Sequence, residues 1–157
     1  MVKNKYSLPL ISKLIAQLYR TKYFTKLDIC WGFNNIQIKP GDEWKATFCT
    51  NHGLFKPLVI FFGMTNGPAI FQTIMNNIFQ DLITEGIVVV YLDDILIFTR
   101  TVKEHTKAIW QMLEILVEHK LCLYPEKCEF QKEQIKYLGL VVSENKVSMD
   151  PVKVAEV

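Results

Sequence analysis

Val88-Val89-Val90-Tyr91-Leu92-Asp93-Asp94-Ile95-Leu96-Ile97-Phe98 sets two adjacent carboxylates in the middle of the most strand-like stretch of the chain. Strand side chains alternate faces, so neighbouring aspartates in a straight strand would point opposite ways, one into the core. Burying an unpaired carboxylate is costly, so a cation or a bend should accompany the pair. A tight hairpin centred on Asp93-Asp94 meets both demands, because Asp tolerates turn conformations. On this stretch alone, a solvated acidic turn and a functional carboxylate pair both remain open.

Outward from the hairpin, the flanks read as helices. Ile70, Phe71, Ile74, Met75, Ile78, Phe79, Leu82 and Ile83 cover much of a helix that begins near Thr65-Asn66-Gly67-Pro68 and ends at Gly86. Thr65 or Asn66 serves as its cap, with proline in the first turn, and so apolar a helix should lie against a sheet. After the hairpin, Ile109, Met112, Leu113, Leu116 and Val117 form a regular stripe on a helix of about 103–119.

Earlier, Leu10, Ile11, Leu14, Ile15 and Leu18 predict an amphipathic helix over about 8–20. Tyr23–Ile29 reads as a strand with Phe24, Lys26 and Asp28 on one face and Thr25, Leu27 and Ile29 on the other. Asn35–Lys39 is a second strand, and Lys45–Thr50 with Leu54–Ile60 form a hairpin around Asn51-His52-Gly53. Short strands follow near Lys136–Val142 and Lys146–Met149. The order strand, helix, acidic hairpin, helix, strand predicts an α+β fold, a ferredoxin-like split βαβ sheet with helices on one face. Asp28 then lies beside the hairpin tip, and three carboxylates converge at one end of the sheet.

Bulk properties narrow the class. The 157 residues suit one domain with a real core, and 50% hydrophobic against 22% charged residues excludes intrinsic disorder. A net charge of +2 does not by itself indicate nucleic-acid binding, and the basic residues near the start fit a solvated face equally well. Cys30, Cys49, Cys122 and Cys128 form no CxxC pair, which points to free thiols, and Cys49 with His52 lacks a second pair for zinc. The N-terminal stretch has no targeting character, and no apolar run approaches the roughly 20 residues of a membrane span. His52, His105 and His119 fall near turns or helix ends and are expected to be solvated. A P-loop is absent.

Converging carboxylates need neutralising, and hard oxygen donors select Mg2+, for which Mn2+ can substitute. Two such ions about 3.5–4 Å apart can activate a hydroxyl and stabilise a leaving phosphate oxygen. Phosphoryl transfer asks the protein mainly for positioning and charge neutralisation.

Several blocks carry a specific resemblance. Phe24-Thr25-Lys26-Leu27-Asp28, Gly32-Phe33, Gln37-Ile38 and Gly41-Asp42-Glu43-Trp44-Lys45 precede Phe62-Gly63-Met64-Thr65-Asn66-Gly67-Pro68-Ala69-Ile70-Phe71-Gln72. Tyr91-Leu92-Asp93-Asp94-Ile95-Leu96-Ile97-Phe98, Glu126-Lys127-Cys128-Glu129-Phe130 and Tyr137-Leu138-Gly139 follow in order. The chain resembles, over essentially its whole length, the reverse transcriptase (RNA-directed DNA polymerase) of gypsy/Ty3-type LTR retrotransposons.

The resemblance implies that Asp28 and Asp93 bridge two catalytic Mg2+ ions, with Asp94 completing the acidic cluster and the Ile29 carbonyl an extra metal ligand. It implies that Phe33 packs under the deoxyribose of an incoming deoxynucleoside triphosphate; ordinary core packing is the alternative. Phe62 and Gly63 match a nucleotide-contacting segment. Gln72 and Tyr91 match template or primer contacts, a solvated helix face being the alternative for Gln72. Leu138-Gly139 matches the primer grip, or simply a tight hairpin. Lys127 matches a proton donor to pyrophosphate, or a surface lysine. Phe61 stands where many relatives carry Pro, and Gly67 where they carry Ser or Ala.

By the same resemblance, residues 1–22 and 36–62 are partial fingers, 23–35 and 63–134 the palm, and 135–157 the primer-grip region and palm/thumb boundary. The expected partners are an RNA or DNA template with primer, and the remaining polymerase and RNase H domains of a polyprotein. The expected location is intracellular, in a cytoplasmic virus-like particle or the nucleus. A basic fingers segment and a thumb would lie outside the chain, so duplex and triphosphate are expected to bind it weakly. A non-enzymatic remnant or scaffold that keeps the palm fold is the alternative reading; a palm-type cyclase is disfavoured by the nucleic-acid-contacting blocks.

Overall fold

A computed structural model describes Asn4, Tyr6 and residues 9–151, without the Ile11 side chain. Residues 1–3, 5, 7, 8 and 152–157, on which parts of the expected first helix, basic start and final segment fall, lie outside the described residues. Helix α1 spans Ile11–Leu18 and strand β1 Tyr23–Asp28. A short hairpin, β2 (Phe48–Thr50) and β3 (Gly53–Phe55), precedes α2 (Gly67–Ile78) and α3 (Gln80–Thr84). Then come β4 (Val88–Tyr91), β5 (Asp94–Thr99) and α4 (Val102–Glu118). The chain continues through β6 (Glu129–Lys132), β7 (Gln134–Tyr137), β8 (Leu140–Ser143) and β9 (Lys146–Met149).

The main sheet has the order β4-β5-β1-β6, every neighbour antiparallel. It is the expected split βαβ arrangement, with the first strand lodged between the hairpin and the last strand. Alternation along β1 decides what covers each face. Leu27 and Ile29 join Ile95, Ile97, Phe71, Met75, Phe79 and Met112 in one core, beneath α2, α3 and α4. Phe24 joins Leu96, Phe98, Leu14, Leu18, Ile135 and Val142 in a second core, beneath α1 and the β7-β8-β9 meander. The central strands are therefore buried on both faces, which is why β4 and β5 read as continuous apolar runs.

Several boundaries differ from expectation for local reasons. Asn35–Lys39 is not a strand: Gly32–Asn35 forms a 3₁₀ turn, and only Gln37 bridges Val59 before Pro40-Gly41 ends the extended segment. The β2–β3 hairpin is shorter than expected, because Glu43–Ala46 is a 3₁₀ turn held by the 2.6 Å Asp42–Lys45 ion pair, and Pro57 lacks a ladder donor. The apolar helix bends at the fully buried Phe79, dividing α2 from α3. The expected strand 136–142 is a hairpin, with Leu138 (φ 49°) and Gly139 (φ 78°) both left-handed, as a two-residue type I′ turn requires. Strand β6 carries no apolar alternation, and it pairs with β1 across a register shift where the Gln131 N–H donates to Thr25 Oγ1.

Among the described residues, no helix is long and apolar enough to cross a membrane. The four cysteines are free, as the absence of paired motifs implied.

Candidate active site

The acidic hairpin turns one residue earlier than its composition suggests. Tyr91 pairs with Asp94, so Leu92 and Asp93 are the two central turn residues and Asp94 is the first residue of β5. Leu92 has φ 52°, the left-handed region that a leucine avoids and that a II′-type hairpin demands at this position. The turn solves the problem of adjacent carboxylates: Asp94 keeps the strand register while Asp93 is released from it.

Asp94 lies directly opposite Asp28 in the β1–β5 ladder, so the two share one face. The Ile29 N–H donates to the Asp93 carbonyl at 3.1 Å, tying the tip of the hairpin to the end of β1. Two lysines neutralise the strand carboxylates. Lys26 Nζ stands 3.6 Å from Asp94 Oδ1, and Lys127 Nζ stands 3.6 Å from Asp28 Oδ1. Lys26 needs no separate signal, since alternation already places it on the face of Asp28. Lys127 also lies 4.4 Å over the Tyr124 ring.

Asp93 is different. Its Oδ1 is fully buried and has no hydrogen-bond partner. It packs where a Cβ on Gly32 would sit, so any side chain at position 32 would collide with it. Burial first, then the like charges of Asp28 and Asp94, push the Asp93 carboxyl up to about 6, with Lys127 acting the other way. Such a group is a buried acceptor that a cation would satisfy.

The donor set of hard carboxylate oxygens, one of them orphaned, fits a divalent cation in chemistry. The carboxylates are close enough to repel one another. Yet among the described residues no three carboxylate, imidazole or thiol groups are gathered tightly enough to hold a metal as they stand. Asp28 and Asp94 are each paired with a lysine instead, Lys127 and Lys26.

Asp28 and Asp93 open onto a cleft of about 490 Å³ lined by Phe33, Phe61, Phe62, Trp31, Tyr124 and Lys127, among others. Its size suits a small-molecule ligand. Phe33 is buried, its ring 5.2 Å from Phe71 and 5.8 Å from Phe62, so it both packs the core and walls the cleft. Phe62 is 87% exposed, and Gly63 follows with φ 102°. Phe61 lines the cleft and meets Phe48 edge-on at 6.0 Å. A Cβ on Gly67 would make only ordinary contact with Ile60, so the Ser or Ala of relatives would fit there.

Two side chains are buried where a solvated position was an expected reading. Gln72 does not lie on a solvated helix face: it is fully buried, its Nε2 donating to the Val90 carbonyl and its Oε1 accepting from the Leu92 N–H at 2.8 Å. His105 is also fully buried rather than solvated, 2.8 Å from Thr25 Oγ1 and 3.0 Å from Thr99 Oγ1. His52 and His119 are exposed, as expected. In both cases a polar helix side chain found partners on a neighbouring strand or its turn, which helical spacing alone does not reveal.

Tyr91 is half-buried against the second core. Leu138-Gly139 forms the β7–β8 turn, and the neighbouring Tyr137 donates its hydroxyl to the Asp94 carbonyl at 3.2 Å. The meander is thereby fastened to the strand that carries Asp94. Sequence reasoning assigned no role to Gly32, Leu92 or Tyr124. Gly32 could have been suspected as a point of close approach; nothing in the sequence marks Leu92.

A profile of the family described as Reverse transcriptase (RNA-dependent DNA polymerase) matches residues 1–142. The Retrovirus-related Pol polyprotein from transposon 297 of Drosophila melanogaster is 34% identical over 153 residues, 98% of this chain and 14% of that polyprotein. The Transposon Tf2-3 polyprotein of Schizosaccharomyces pombe is 38% identical over 141 residues, 90% of this chain and 10% of that polyprotein. The chain thus spans 10% to 14% of the length of these relatives. In fold it is similar to the foamy viral protease-reverse transcriptase in complex with RNA/DNA hybrid, with a TM-score of 0.85 and 22% identity over 94% of this chain and 20% of that one. Matched by the family profile over most of its length and by two polyproteins at more than 30% identity, this chain belongs to the reverse transcriptase family.

Proposed function

We propose that the chain is the palm, with part of the fingers, of an RNA-directed DNA polymerase that adds deoxynucleotides to a primer 3′-hydroxyl. The observation that carries this reading is the buried, unpartnered Asp93 Oδ1 at the mouth of an aromatic-walled cleft, beside Asp28 and Asp94. Asp28 and Asp93 would hold divalent cations, with Asp94 and the Ile29 carbonyl beside them, once Lys26 and Lys127 release their carboxylates. The cations supply activation of the primer hydroxyl and neutralisation of the triphosphate.

The rest falls to the chain. Phe33, stiffened by Phe71, gives the sugar of an incoming nucleotide a rigid apolar wall with no room for a 2′-hydroxyl. Exposed Phe62 and Gly63 at the cleft rim meet the nucleotide. Tyr91 and the Leu138-Gly139 turn, joined to the Asp94 strand by Tyr137, seat the primer end. Lys127, displaced from Asp28, donates a proton to the leaving pyrophosphate. The foamy viral neighbours are complexes with RNA/DNA hybrid and with double-stranded DNA, in keeping with a template and primer as partners here.

Primer extension by this chain and by Asp93→Asn tests the assignment: a loss of about 10³-fold or more is expected, and equal incorporation by both would sink it. A non-enzymatic palm remnant is the second reading, favoured by the two lysines that already neutralise Asp28 and Asp94. Manganese titration separates the two. Binding that disappears in the Asp28, Asp93, Asp94 triple alanine variant supports the polymerase; binding that survives it counts against a retained site.

A further inference from the structure

We propose that Gln72 is a positioning residue for the acidic turn, holding Leu92 in its left-handed conformation, and that Asn76 and Tyr6 carry this hold to the segment before α1. The inference rests on the polymerase reading only for its kinetic consequence.

The turn needs a clamp. Leu92 adopts φ 52°, where its Cβ crowds the backbone, and Asp93 takes its direction from that residue. The turn is anchored from two sides. On the β1 side the Ile29 N–H holds the Asp93 carbonyl at 3.1 Å. On the α2 side Gln72 holds the residues before it: Oε1 accepts the Leu92 N–H at 2.8 Å and Nε2 donates to the Val90 carbonyl at 3.0 Å. A side-chain amide suits both jobs, since it carries one acceptor and one donor on the same group. The amide orientation is fixed by these partners, because the flipped form would set NH2 against the Leu92 N–H.

The second Nε2 hydrogen is used as well. It meets Asn76 Oδ1 at 2.9 Å, one turn further along α2, and Asn76 Nδ2 donates to the Tyr6 hydroxyl at 2.7 Å. Asn4 crosses the start of the same helix, its N–H donating to Asn66 Oδ1 at 3.0 Å. A row of side-chain amides therefore runs from the N-terminal segment, across α2, to the turn. Phe71, next to Gln72, is the ring against Phe33. One turn of α2 thus sets both the cleft wall and the direction of Asp93. A residue buried this way does not touch template; it acts through Leu92.

Hydrogen exchange and kinetics of Gln72→Leu test the clamp. The Leu92 amide should exchange about tenfold faster or more, while the amides of Leu27 and Ile97 in the central strands stay unchanged. In primer extension kcat should fall about tenfold with the template–primer KM unchanged. Leu92→Gly in the Gln72→Leu background should recover most of that loss, because glycine takes positive φ without help. Asn76→Ala, at a half-buried site that cannot unfold the chain by core loss, should raise Leu92 exchange in the same direction by a few-fold.

The proposal is overturned if the Leu92 amide keeps its protection in Gln72→Leu. It is equally overturned if KM for template–primer rises at constant kcat, or if Leu92→Gly recovers nothing. Should the wild-type chain itself extend no primer, activity of this chain by itself is what fails, and the Leu92 amide alone decides the clamp.

Discussion

A carboxyl pushed up to about 6 makes Asp93 a liability to the fold at neutral pH as well as a candidate ligand. Because its folded-state pKa is raised, the folded chain binds that proton more tightly than the unfolded chain does. The resulting stability is fully present below the ordinary value of 3.8 and is lost as the pH rises through about 6. Asp93→Asn should therefore stabilise the metal-free protein at pH 7, on the order of 1–2 kcal/mol after allowing for partial exposure. It should also flatten the dependence between about pH 4 and 6. Urea unfolding across that range measures both effects, and an unchanged or lower stability at pH 7 would refute the burial of an unpaired charge. The same substitution is expected to abolish polymerisation, so activity and stability should move in opposite directions at one residue. Gly32 is the partner in this arrangement: Gly32→Ala sets a methyl against Asp93 and should cost both metal affinity and fold stability, read by manganese titration and thermal unfolding.

At the scale of elements, α4 is locked at its start by two devices. Thr101 and Glu104 form a capping box, and one turn later His105 bridges β1 and β5 through Thr25 and Thr99. Thr101→Ala should cost about 1 kcal/mol in denaturant unfolding. His105 matters through its charge state. Burial holds its pKa below the ordinary 6.5, despite the opposing effect of a hydrogen bond to the Phe24 backbone carbonyl. A depressed folded-state value means that its contribution is present above pH 6.5 and is lost as the pH falls, the opposite sign to Asp93. His105→Asn should shrink the loss of stability below pH 6.5 while lowering stability at pH 7 by about 1–3 kcal/mol, since the threonine hydroxyls lose a partner. Unfolding curves at pH 5 and pH 7.5 check the sign, and an acid dependence identical to wild type would exclude His105 as its source.

For the whole molecule, one sheet sandwiched between two cores implies a graded resistance to opening. Strands β1 and β5 are covered on both faces, whereas β2 and β3 are exposed along their whole length. Amides of Leu27, Leu96 and Ile97 should exchange only by global unfolding. Those of the β2–β3 hairpin should exchange faster by several orders of magnitude, and comparable protection in both would contradict the description. The mobile part is thus expected behind the cleft wall, where Phe48 meets Phe61, while Asp28 and Asp94 stand on the most resistant strands. Phe48, Phe55 and Phe61 give that hairpin what little packing it has.

Much of this was legible in the sequence. Alternation in Tyr23–Ile29 assigned each residue of β1 to its face, helical spacing found α1, α2 and α4, and block order placed Asp28 beside the hairpin. These are local periodicities, and local sterics write them into the residues themselves. Tertiary contact decided the rest. It moved the turn to Leu92-Asp93, because an amide on another helix holds a leucine at positive φ. It buried Gln72 and His105, because strands distant in sequence supplied their partners. It also recruited β6, a strand without an apolar pattern, through the free edge of β1. Sequence therefore determined which carboxylates meet. Only the folded surroundings determined which of them would be left buried without a partner, since desolvation depends on neighbours that no local pattern records.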